Sequence, residues 1–197
     1  MIESRATRKG VDDAQPDAPA RILQAAQEEL VLRGAGALAM HDVADRAGVS
    51  KGLIHYHYQD KDALLARVAV RLGERIAERA RGALATSTAP AAVDDLRRWV
   101  DAEIALGEWR GLLALAEWPA ADVRSTAHGA LGARRVAVSG LMGRLFSVLA
   151  VRPRIGRVAI AELAIALVSG LVAESSGNRA SSMAIDAIVL ALLGLSE

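Results

Sequence analysis

The block Ala44-Asp-Arg-Ala-Gly-Val-Ser50 constrains this chain more tightly than any other stretch. Two short helices that cross sharply need small residues at the crossing and a turn residue that accepts positive φ. Ala44 and Ala47 are small, and Gly48 takes the turn without a Cβ clash. Val49 follows as an apolar plug. Ser50 is placed to cap the next helix by accepting from its free backbone N–H groups. The pattern predicts helices over about 40–47 and 51–58, with Val43, Ile54 and Tyr58 facing a shared core. Lys51, Gly52, Leu53, His55, Tyr56 and His57 are then turned outward or toward the helix ends. A short helix exposing a cation, hydrogen-bond donors and a glycine suits the major groove of DNA.

The rest of the chain reads as helices. A first helix is expected from about Asp17 to Arg33, with Ile22, Leu23, Ala26 and Leu30 on one face and Gly34 and Gly36 ending it. From Asp60 a long pattern reaches about Ala85, carried by Leu64, Leu65, Val68, Leu72 and Ile76. Pro90 punctuates a break. Helices are then expected over about 91–106, over a shorter stretch stopped near Pro119, and over about 122–149 up to Pro153. Two last helices, about 155–175 and 181–195, flank the loop "SSGNRA". No strand with sustained alternation and no internal repeat interrupts this pattern. The expected class is all-α.

Composition narrows the function classes. The chain has 197 residues, 52% of them hydrophobic, which is enough for one large domain or two small ones with a shared core. No cysteine is present, so disulfides and cysteine-bound metals are excluded, and a cytoplasmic setting is the simple expectation. The net charge of +1 gives no global field toward nucleic acid. The stretch "MIESRATRKGVDDAQPDAP" lacks the apolar core of a signal peptide and reads as a flexible arm. His128 and Glu117 lack partners at metal-ligand spacing, so neither metal nor cofactor is expected.

The segment "ILQAAQEELVLRGAGALAMHDVADRAGVSKGLIHYHYQDKDALL" resembles the N-terminal DNA-binding domain of the TetR family of transcriptional regulators. The resemblance covers about 21–65 and rests on the alanine-glycine-valine-serine turn, Gly52, Ile54, Lys61 and the leucine pair. Three positions depart from the family pattern. Ala39 stands where threonine or serine usually caps the second helix, Leu53 replaces a threonine or alanine facing DNA, and His55 replaces a tyrosine. The resemblance implies a flexible arm (1–16), a three-helix helix-turn-helix domain (17–60), and a larger effector-binding and dimerisation domain (61–197). It implies that His41, Lys51 and Leu53 approach bases or phosphates. Ser50, His55, Tyr56, His57 and Lys61 would hold phosphates, with Gly52 permitting close approach. The acids Asp42, Asp45, Asp60 and Asp62 lie among these bases, so the segment is not a basic block.

The middle helices carry Trp99, Trp109, Trp118 and Phe146, the only aromatics beyond this segment. By the resemblance they enclose an effector pocket. Trp99 and Glu103, four apart, would offer a ring and a charge, with Trp109, Leu112, Leu115 and Phe146 as apolar walls. The last two helices are apolar nearly all round, yet the second is too short to span a membrane and the first is interrupted by Glu162. The resemblance makes them a homodimer seam, with Glu162 and Asp186 at its edge or paired. The expected function is a dimeric repressor, not an enzyme, released from a palindromic operator by a small, mostly apolar effector. The competing readings are a helical enzyme and a partner-binding module that no longer binds DNA.

Overall fold

The computed structural model describes residues 17–152 and 156–174, and every regular element among them is a helix. In chain order these are α1 (Ala18–Ala37), α2 (Met40–Ala47), α3 (Lys51–His57) and α4 (Lys61–Gly82). They continue with α5 (Ala92–Leu106), α6 (Glu108–Ala116), α7 (Ala121–Val148) and α8 (Arg157–Glu174). The arm over 1–16 and the expected last helix, with Asp186, lie outside the described residues. Helix starts and stops fall within a few residues of the spacing-based expectation. The exception is the end of α1: Gly34 leaves helical geometry at φ 81°, but the backbone regains a turn and closes at Ala37.

Local chemistry explains the caps. Asp17 accepts from the Ala20 N–H at 3.1 Å, with Pro19 in the first turn where its missing N–H costs nothing. Asp60 caps α4 by accepting from Ala63 at 2.7 Å.

Helices α4 and α7 pack along much of their lengths and form the spine of the larger body. Gly73 makes this possible: a Cβ there would meet the Ala130 Cβ at 2.6 Å. The head, α1–α3, rests on α4 and α6 through α1. One apolar cluster runs unbroken from Ile22 in the head to Val172 in α8. Head and body therefore share a core, and movement in one is felt in the other.

Candidate DNA interface and effector region

The helix-turn-helix is built from short-range interactions. Helix α2 starts at Ala39 with no side-chain cap, as the alanine there implies. Gly48 adopts φ 63° and ψ 41°, and its N–H returns to the Ala44 and Asp45 carbonyls. Ser50 accepts from the Leu53 N–H at 3.2 Å and fixes the start of α3. Val43, Ala44, Ala47 and Ile54 are buried. Tyr58 is buried too and donates its hydroxyl to the Pro19 carbonyl at 3.2 Å; burial raises its phenol above the ordinary value.

The outer face of α3 carries what the pattern leaves over. Lys51, Gly52, His55, Tyr56 and His57 are exposed, and Leu53 is half-buried. Tyr56 is 82% exposed, with its ring edge-on to His57 at 5.0 Å between centroids. His55 Nδ1 lies 3.2 Å from the Gln59 carbonyl. Ser50 is exposed beside Lys51. Two expected contacts have other attachments. His41 is exposed but lies 2.9 Å from the Asp42 carboxylate. Lys61 is half-buried, with its ammonium 5.1 Å above the Trp118 ring and 3.5 Å from the Gly36 carbonyl.

Three of the four acids are engaged away from the α3 face. Asp42 pairs with Arg33 at 2.7 Å, Asp60 is the α4 cap, and Asp62 accepts from the Trp118 indole N–H at 2.8 Å. Arg46 turns back to Glu29 at 2.7 Å and Glu28 at 3.4 Å. The hydrogen bond to Glu29 leads in raising the Arg46 pKa.

In the body, Trp99, Glu103, Trp109, Leu112, Leu115 and Phe146 are all buried. Trp99 meets Trp109 edge-on, 6.2 Å between centroids, so α5 and α6 do bring these rings together. Glu103 is bound at both oxygens by Arg79, at 2.7 and 2.9 Å. Its charge is spent inside the protein.

This pair belongs to a polar network that the sequence pattern does not reveal. Arg79 also pairs with Glu108 at 2.7 Å, Arg75 pairs with Glu108 at 2.9 Å, and Gln27 of α1 donates to Glu108 at 2.6 Å. Arg71 donates to Gln27 at 3.2 Å. Burial pulls the Arg79 pKa down, but the two carboxylates outweigh it and leave it raised. An opening of about 650 Å³ lies over this network, lined by Gln27, Val31, Leu32, Arg71, Arg75 and Leu106 among others. Its walls come from elements remote in sequence, so no local signal announces it. No cluster of metal-ligating side chains occurs among the described residues, and none of their helices is long and apolar enough to cross a membrane.

Residues 22–68, from α1 into α4, match the family model described as bacterial regulatory proteins, tetR family. Over 68 residues the chain is 40% identical to the HTH-type transcriptional activator FasR of Mycolicibacterium smegmatis. That match spans 34% of this chain and 31% of the relative. A TetR transcriptional regulator from Legionella pneumophila superposes with a TM-score of 0.73 at 16% identity, over 91% of this chain and 99% of the other. Reduced NemR from E. coli gives 0.74 at 14%, over 92% and 98%. A Rhodococcus sp. protein assigned to the TetR family gives 0.68 at 26%, over 89% and 98%. The turn geometry, the matched family segment and the shared fold meet in one conclusion: residues 22–68 match the DNA-binding segment of the tetR family of bacterial regulatory proteins, and the chain has the fold of TetR-family transcriptional regulators.

Proposed function

We propose that this chain works in the cytoplasm as a homodimer that binds a palindromic operator and is released by a small, mostly apolar effector. The observation that carries the reading is the outer face of α3. Lys51, His55, Tyr56 and His57 project from a helix whose start is capped by Ser50 and whose other face is anchored by buried Ile54. A rigid, donor-rich helix with Gly52 for close approach can enter a major groove without first being ordered. Leu53 offers a thymine methyl an apolar contact, while His41 and Lys61 flank the face at the starts of α2 and α4. Dimer symmetry sets two such helices about one helical turn apart.

Release follows from the network beneath the head. Arg75 and Arg79 tie α4 to Glu108 of α6 and Glu103 of α5, and Gln27 ties α1 to the same Glu108 carboxylate. A ligand that parts Trp99 from Trp109 moves α5 and α6, and so moves α4 and the head. It lowers DNA affinity only by binding the moved geometry more tightly. A hundredfold loss needs a coupling of about 3 kcal/mol, ordinary for a two-state regulator.

Repression follows from occupancy, because a dimer seated across a promoter excludes polymerase. The relative named as an activator favours a second reading, in which the bound dimer recruits polymerase. Transcription in vitro from the promoter beside the coding region separates the two by its sign. The primary test is binding to that duplex over a salt series. Log affinity should fall steeply and linearly with log salt; a helical enzyme or partner-binding module would show no such slope.

A further inference from the structure

Arg134 lies on the inward face of α7, in phase with buried Ala127, Val138 and Leu141, and only 6% of it is exposed. Its Nε and Nη1 donors have no hydrogen-bond partner among the described residues. The guanidinium sits 4.3 Å from the centroid of the Trp109 ring. Burial, reinforced by the neighbouring charge of Arg135, lowers its pKa to about 10. Glu162 opposes that shift, but Arg135 holds this carboxylate at 2.9 Å.

A second orphan donor touches the same ring. Trp99 packs edge-on against Trp109, and its buried Nε1–H has no partner among the described residues either. The Trp109 N–H is already used, donating to Ser169 Oγ at 3.3 Å. Three unused donor nitrogens thus belong to two side chains in contact with one indole, and one of these side chains is a cation. A ring face replaces only part of a guanidinium's hydration, and a buried cation is costly until it is paired. Unused donors define their complement, which is an acceptor with negative charge. The surroundings define the rest of it: Leu112, one turn along α6 from Trp109, is fully buried and apolar. Trp99 also lines an opening of about 330 Å³ with Arg79, Gly82 and Arg98.

We propose that the body recognises a small amphipathic carboxylate, with its anion on Arg134 and Trp99 Nε1 and its apolar chain against Trp109 and Leu112. This rests on the effector reading above and refines it, since the effector is then an organic acid and not merely apolar.

The probes are decanoate and phenylacetate, each set against its neutral alcohol, decanol and 2-phenylethanol, with tryptophan fluorescence and melting temperature as readouts. At least one acid is expected to bind tenfold or more tighter than its alcohol. Arg134→Met should abolish that preference while leaving alcohol binding unchanged. The ligand-free Arg134→Met protein should melt at the same temperature or up to about 8 °C higher, because an unpaired buried charge has been replaced by an apolar side chain of similar volume. Three results overturn the proposal. These are no acid preferred over its alcohol, a marked fall in melting temperature of the ligand-free variant, or dissociation of its oligomer. The last would mean that a second copy supplies the missing anion. Operator affinity, measured in parallel, keeps the two claims apart. An Arg134-dependent acid that leaves DNA binding unchanged preserves this site and removes only the coupling.

Discussion

Ala39 and Gly48 bracket α2 and limit the stability of the head in opposite senses. Ala39 has the extended backbone of a cap, φ −113° and ψ 142°, but no side-chain acceptor for the free N–H groups. Ala39→Ser should supply one, worth about 1 kcal/mol and so about 2–4 °C in melting temperature. Differential scanning calorimetry checks it, with no change expected in DNA specificity. On the α3 face the expectation is reversed. Lys51→Ala and Tyr56→Ala should leave melting within about a degree, since both side chains are exposed and neither packs in the core. Operator affinity should fall about tenfold for each. If Lys51 holds a phosphate, its loss lowers the salt slope by about 1 and weakens all sequences alike. If it reads a base, specificity relaxes at one position. A fall in melting temperature that matches the fall in affinity for Tyr56→Ala would place the ring in the core.

Elements were legible in the sequence where their signals are local. The α2–α3 turn is written in a handful of consecutive residues, and each acts on a backbone group a few positions from itself. The body is different. The spacing of Trp99 and Glu103 correctly puts both on the inward face of α5, but no pattern within α5 shows that Arg79 of α4 neutralises Glu103. Glu108 was hidden for the same reason, since its partners Gln27, Arg75 and Arg79 come from two other helices. Arg134 was readable in principle: it repeats with Ala127, Val138 and Leu141, while adjacent Arg135 falls on the outer face. Burial of Glu108 makes its charge decisive. Glu108→Gln leaves Arg79 with the Glu103 carboxylate and leaves Arg75, whose side chain is 43% exposed, to water, so the loss is that of charged hydrogen bonds, about 1–3 kcal/mol. Melting should fall by roughly 2 °C or more, and hydrogen exchange should rise in α1 and α6 together. Protection lost in α6 alone would show that the head is not tied through this carboxylate. The α4–α7 crossing gives an independent check. Gly73→Ala should cost about 1–3 kcal/mol, because the added methyl meets Ala130 backbone as well as side chain and the two helices must part.

At the scale of the whole molecule, the apolar surface of α8 is the feature that a lone chain leaves unexplained. Val158, Leu163 and Leu167 are 70%, 43% and 38% exposed on a helix whose other side, Ile160, Ala164 and Val168, is buried in the body. Glu162 does not interrupt this surface as a free charge, because Arg135 pairs with it. Under the proposed function, a second copy would cover these exposed residues, and the homodimer so formed would place two α3 helices on one duplex. The two heads then bind as a linked pair, and linkage multiplies affinity by roughly 10²–10⁴ over one head alone. Leu163→Asp with Leu167→Asp should produce a folded monomer by sedimentation, since both positions face outward and the α8 core residues are untouched. Its affinity for a full palindrome should drop a hundredfold or more, while affinity for an isolated half-site stays within about twofold of the parent chain. That ratio is the decisive quantity. Equal losses on full and half sites would mean that the aspartates disturbed the head through the shared core. A monomer that retains full-site affinity would show that each head acts alone, and the palindromic operator would no longer follow from this fold.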